Sequence, residues 1–187
     1  MEKTLMGDKS LTKIIFFDTD CISAFLWVNN ESILEKLYYG RIIIPRMVYN
    51  EMSKPRVYWM KEKIDSLIKS GGAQIQDMDI DSDEYNLYMK LTSIGSGRKL
   101  IGKGEAACLA LARKHKAIIA SNNLRDISDY VVEFSLDHIT TGDILIEAYE
   151  EGIISEDDGN IIWAKMIARR RKLGASSFSD YLNNRNK

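Results

Sequence analysis

Asp18 and Asp20 stand directly behind the apolar run Ile14-Ile15-Phe16-Phe17, with Thr19 between them. Three further stretches carry acid or amide groups that could meet Asp18. Glu51 follows Ile42-Ile43-Ile44-Pro45, Glu105 heads an alanine-rich segment, and Asn123 and Asp126 come after Ala117-Ile118-Ile119-Ala120. Hard divalent cations prefer oxygen ligands, and Mg²⁺ keeps several waters, so a few converging carboxylates suffice to hold one. Such an ion makes water nucleophilic near neutral pH, relieves charge on phosphoryl oxygens and helps the leaving oxygen depart. The chemistry indicated for Asp18, Glu51, Glu105 and Asp126 is therefore metal-assisted cleavage of a phosphodiester.

Each of these residues also has an ordinary role open to it. Asp18 could end a strand or cap a helix, although Thr19 or Asp20 could supply that cap and leave Asp18 free. Asp20 divides evenly between a cap and a residue orienting a metal ligand. A single glutamate such as Glu51 is most often solvated, but a helical side chain tilts toward the N-terminus and can lean back over a sheet edge. Glu105 is favoured at a helix start by the dipole whatever its function, yet it is the only charged residue between Lys103 and Arg113. Asn122 weighs equally as a turn residue.

Short apolar runs alternating with longer segments of helical period indicate βαβ units and a parallel sheet. Five strands are expected, at about 14–18, 41–45, 73–78, 117–121 and 137–140. Such sheets bind ligands at the carboxyl ends of their strands, where the acids fall. Cys21, Phe25, Val28, Ile33, Leu34 and Leu37 recur at helical spacing, and Gly40 supplies a stop. Met47 to Ser70 reads as two helices interrupted near Pro55, which lacks the amide proton a helix interior needs. Asp81-Ser82-Asp83 opens a helix over 83–92, and a glycine-rich basic loop follows, carrying Arg98, Lys99 and Lys103. A tightly packed helix is expected from Glu105 to His115, an amphipathic one ending near Gly152, and a last one capped by Ser155, with a polar tail from Phe178 to Lys187.

With 187 residues and 45% hydrophobic content, one well-buried core is expected. Twenty-six basic against twenty-seven acidic residues leave a net charge of −1, so nucleic acid would have to be held by a local patch. With Cys21 and Cys108 in separate expected elements and only two histidines, neither a disulfide scaffold nor a zinc site is expected. No apolar run approaches the ~20 residues of a bilayer span, and Met1 to Lys13 lacks the apolar core of a signal peptide. A cytoplasmic location with reduced thiols is the expectation.

These residues in this order resemble the PIN-domain ribonucleases, most closely the VapC-like toxins and their relatives, across roughly residues 13–145. The likeness is carried by Phe17-Asp18-Thr19-Asp20, by Ile44-Pro45-Arg46-Met47-Val48-Tyr49-Asn50-Glu51, by Gly104-Glu105-Ala106-Ala107, and by Ser121-Asn122-Asn123-Leu124-Arg125-Asp126-Ile127. Asp20 stands where Ser or Asn is usual, and Glu105 where Asp is common. The resemblance implies an α/β, Rossmann-like PIN domain with a five-stranded parallel sheet flanked by helices. It also implies endonucleolytic cleavage of RNA with Mg²⁺ or Mn²⁺ on Asp18, Glu51, Glu105 and Asp126, Thr19 and Asn123 orienting ligands and water. A protein antitoxin and a homodimer are implied partners. Residues 146–187 form a C-terminal helical extension packed on the same domain.

Arg98, Lys99 and Lys103 could reach RNA phosphate just ahead of Glu105. Lys165, Arg169, Arg170, Arg171 and Lys172 are a second positive run, which a helix C-terminus favours in any case. Tyr58 and Trp59 could stack on bases, with burial the better reading. Two other functions compete. A haloacid-dehalogenase-like phosphatase would use Asp18-Thr19-Asp20 and Asp143, although Cys21-Ile22 replaces its usual Gly-Thr. A PIN-like module without metal would only bind RNA or protein.

Overall fold

The structure is a computed structural model and describes residues 13–93 and 100–185. Arg98 and Lys99 of the basic loop lie outside the described residues. Five strands form one parallel sheet: β1 (Ile15–Phe17), β2 (Ile42–Pro45), β3 (Ala73–Gln76), β4 (Ile118–Ala120) and β5 (Asp137–Ile139). The spatial order is β3-β2-β1-β4-β5. Phe16 lies opposite Ile43 on one side and Ile119 on the other.

The three inner strands are buried throughout, because helices cover both faces of the sheet, and they are therefore continuous apolar runs. The edge strands admit the polar residues Gln74, Gln76 and Asp137. The chain steps outward from β1 to β3 and then returns to place β4 beside β1. Strand order reverses at that point, so the helices on either side diverge and leave a crevice beyond the carboxyl ends of β1 and β4.

The connections are helical. They run as α1 (Thr19–Trp27), α2 (Glu31–Tyr38), α3 (Arg46–Met52), α4 (Tyr58–Lys69), α5 (Asp83–Thr92), α6 (Lys103–His115), α7 (Leu124–Glu133), α8 (Thr141–Glu150), α9 (Glu156–Ala168) and α10 (Phe178–Arg185). Pro55–Val57 is a single 3-10 turn ahead of α4, as the missing amide proton of Pro55 requires. The helical spacing from Cys21 to Leu37 is divided between α1 and α2, since Asn29 takes the left-handed conformation with φ 56°. Every residue from Ala106 to Ala112 in α6 is buried, and its small side chains let it lie against β1, α3 and α5.

The polar tail is a correction: Phe178 to Arg185 is helix α10. Phe178 is fully buried, and its ring faces Trp163 of α9 and Tyr149 of α8. Two glycines make the dock possible. A Cβ on Gly159 would stand 2.3 Å from the Phe178 ring, and one on Gly142 would stand 2.5 Å from the Tyr181 ring. Ser179 and Asn160 exchange hydrogen bonds of 2.8 and 3.1 Å across the same contact. Among the described residues, no helix is long and apolar enough to cross a membrane.

Candidate functional site

The backbone amide of Asp18 donates to Ala120 O at 3.0 Å, which fixes the end of β1 against the end of β4 at the mouth of the crevice. Asp18 is itself the cap of α1: its Oδ1 accepts the Cys21 amide at 2.7 Å, so neither Thr19 nor Asp20 takes that role. The other oxygen, Oδ2, is buried with no hydrogen-bond partner. Burial pushes the carboxyl up to about 7, the Ser121 hydroxyl and the Cys21 amide pull it back, and the charges of Asp20 and Glu105 add to the rise. An ionised carboxylate with one bare oxygen in such a place is costly unless a cation reaches it.

Glu51 arrives from the next strand. Pro45 ends β2 and starts α3, and six residues on, the Glu51 carboxylate accepts a hydrogen bond from the Thr19 hydroxyl. The first turn of α6 closes over this pair because residue 104 has no side chain. A Cβ there would meet Thr19 Oγ1 at 3.0 Å and Glu51 Oε2 at 3.3 Å.

Glu105 serves its own helix as well as the site. Its Oε2 accepts the Gly102 amide at 3.3 Å, while its Oε1 accepts Asn123 Nδ2 at 2.6 Å. The same amide nitrogen donates to Asp126 Oδ2 at 2.7 Å, so one asparagine joins two acids. Burial raises the Glu105 carboxyl, the Asn123 and Gly102 donors lower it, and Asp126 and Asp20 raise it further. Asn122 bonds Thr141 through its side-chain oxygen and nitrogen, both at 2.9 Å, tying the end of β4 to the start of α8, and the same nitrogen donates to Asp20 Oδ2 at 3.4 Å.

Asp18, Thr19, Asp20, Glu51 and Glu105 line one cleft of about 280 Å³. Asp126 and Asn123 do not; they line an adjoining cleft of about 590 Å³ that shares Glu105, Asp20 and Arg171 with the first. Asp126 therefore stands behind Glu105, because Asn123 bridges the two and α7 begins beyond it. Lys103 is exposed at the head of α6. Trp59 packs edge-on against Trp27 at 4.9 Å, whereas Tyr58 is exposed. A larger hollow of about 1040 Å³ lies between α5 and α6 but holds none of these acids.

Arg171, read from the sequence only as part of a positive run at a helix end, enters the site itself. Its guanidinium lies 3.2 Å from Asp20 Oδ1 and 3.3 Å from Ser23 Oγ, inside the acid cleft. Nothing in the spacing of a basic run distinguishes one that follows a helix into solvent from one that folds back. Among the described residues, no three acid, histidine or cysteine side chains stand at metal-cage spacing. The donors are nonetheless all hard oxygens, and Asp18 Oδ2 is bare. They fit an ion held by one or two carboxylates and otherwise hydrated, the usual way of binding Mg²⁺.

The profile of a PIN-domain family, DUF3368, matches residues 14–186. No curated protein matches the sequence. Two solved structures are similar at low identity. The structure of FitAB bound to an IR36 DNA fragment aligns with 16% identity and a TM-score of 0.47, over 68% of this chain and 95% of that one. VapBC2 from Rickettsia felis, bound to a DNA fragment from its promoter, aligns with 18% identity and a TM-score of 0.47, over 68% and 98%.

Proposed function

The chain belongs to the PIN-domain family, and from that premise we propose that it is a metal-dependent endoribonuclease. The observation that carries the reading is the bare, buried Oδ2 of Asp18 in a cleft shared with Glu51 and Glu105. Asp18 would hold a Mg²⁺ or Mn²⁺ ion, with Glu51 and Glu105 close by and Asp126 acting through Asn123. When bound, such an ion neutralises phosphoryl charge and activates water.

This chain's own groups do the rest. The Thr19 hydroxyl fixes the rotamer of Glu51 by its hydrogen bond. Asn123 spends its amide hydrogens on Glu105 and Asp126, holding two like charges at a set separation. Gly104 lets the first turn of α6 lie directly against Thr19 and Glu51, where a side chain would push them apart. A protein antitoxin and a homodimer belong to the proposal through the family resemblance alone, and co-purification and size-exclusion measurements test them.

Asp18→Asn tests the reading directly. Asparagine caps a helix as well as aspartate does, so α1 is retained. The variant is expected to lose Mn²⁺-dependent cleavage of RNA by at least about 100-fold, beyond the loss usual for groups that only orient a ligand. Cleavage at the parent rate by the folded variant overturns the proposal. A binding-only module would give no Mn²⁺-dependent rise in the melting temperature of the parent chain. The phosphatase reading fares worse, since Asp143 caps α8, bonds Arg185 and Tyr181, and does not line the acid cleft.

A further inference from the structure

The segment that follows α9 reverses the sign of the surface beside the acids. Arg170 adopts the left-handed conformation with φ 59°, which disfavours any residue bearing a side chain. The Arg171 amide then donates to Met166 O at 3.0 Å, and the turn directs the Arg171 guanidinium back onto α1. A solvated helix end would leave this side chain in water, yet it is only 23% exposed and rests on Asp20 and Ser23 in the acid cleft. One helical turn further along α1, Arg169 lies over the Trp27 ring at 5.3 Å.

Arg170 and Lys172 are exposed and line the adjoining cleft together with Arg125, whose side chain is 87% exposed. Cations thus flank the acids along one wall. The arrangement answers a physical difficulty: a cleft of carboxylates repels a polyanionic strand, and the whole molecule, at −1, offers no compensating attraction. Phosphate contacts fix the register of a strand without reading its bases. An arginine fork also matches a phosphate as well as it matches a carboxylate.

We propose that Arg171, with Arg170 and Lys172, is the phosphate-binding arm of the substrate cleft. The guanidinium that rests on Asp20 takes up the phosphate neighbouring the scissile bond of single-stranded RNA, and Arg170 and Lys172 hold the phosphates beyond it. The identity of the strand as RNA rests on the nuclease reading; the arm itself rests on the geometry of residues 169–172.

The experiment uses the full chain carrying Asp18→Asn, so that nothing is cut, and a short fluorescein-labelled single-stranded oligoribonucleotide titrated in Mg²⁺ over a series of salt concentrations. Adding Arg170→Ala, Arg171→Ala and Lys172→Ala should weaken binding by at least about ten-fold at low salt. The slope of log affinity against log salt should flatten by about 2, from three phosphates at roughly 0.7 each. Equal affinity and equal slope in a triple variant with an unchanged melting temperature overturn the inference. So does failure of the Asp18→Asn parent to bind the oligonucleotide, or its tighter binding of the same sequence as DNA.

Two single variants separate a phosphate contact from a brace for Asp20, since each breaks the same ion pair. Asp20→Asn should bind RNA as tightly as the parent or more so, and Arg171→Ala should bind more weakly; equal weakening by both overturns the inference. The nuclease reading fails independently. If the chain with Asp18 intact cuts no RNA but loses binding with the arm, the arm stands and catalysis falls. If the armless chain cuts RNA with an unchanged KM, the arm falls and catalysis stands.

Discussion

Asp18 serves two masters, and its two oxygens divide the work. One oxygen completes the α1 cap, and the other is kept dry and bare. The conflict has a measurable signature in metal-free buffer. Burial raises the carboxyl from 3.8 in the unfolded chain to about 7 in the folded one. The folded state thus prefers the protonated acid, so its contribution is fully present below the unfolded value and is lost as pH rises through about 7. Integrated over that shift the loss is at most about 4 kcal/mol. Asp18→Asn cannot ionise and escapes it. In EDTA the variant should melt above the parent by the widest margin at pH 7 and higher, and the margin should close toward pH 4. A margin that widens as pH falls contradicts the assignment.

At the scale of elements, the tail illustrates what close packing can hide. Phe178 lies in a socket that exists only because Gly159 lacks a side chain. Gly159→Ala sets a methyl 2.3 Å from a fully buried ring, so α10 should undock at a cost of about 1–3 kcal/mol, the usual range for overpacking. Faster amide exchange confined to residues 178–185 is the expected readout, and unchanged protection there counts against the packing described. The strands were legible because inner parallel strands are apolar on both faces and flanked by turn residues. The alanines of α6 were legible for the same reason, since a helix buried on every side has few alternatives. Asn29 was not legible, because the apolar period runs on through it and only its positive φ divides α1 from α2. Nor was α10, which is polar over most of its surface and is held by Phe178, Tyr181 and two glycines distant in sequence. Among the site residues, the four acid motifs stood out by type and spacing, whereas Asp126's place behind Glu105 and Arg171's return onto α1 depend on tertiary contacts that spacing does not encode.

Across the whole molecule, the acids come from the ends of separate strands and helices, and the core beneath them is continuous. Cys21 in α1 and Cys108 in α6 both lie inside that core as free thiols, and burial, reinforced by the charge of Asp18, raises both well above the usual thiol range. Their modification should therefore report on opening of the whole domain rather than of a loop. A thiol-specific disulfide reagent is expected to label neither cysteine in the folded chain and both together as denaturant passes the unfolding midpoint. Rapid labelling of one alone in native buffer would mean that α1 or α6 opens separately.

The Arg171–Asp20 contact spans most of the polypeptide, 151 residues. Synthesis proceeds from the N-terminus, and domains fold as units once enough chain has emerged. A nascent chain halted after Asp126 already holds every motif acid but has neither the arginine nor α8, α9 and α10. On the proposal above, an RNA cutter built this way gains its grip on substrate only after Arg171 has been made, well after the last of its motif acids.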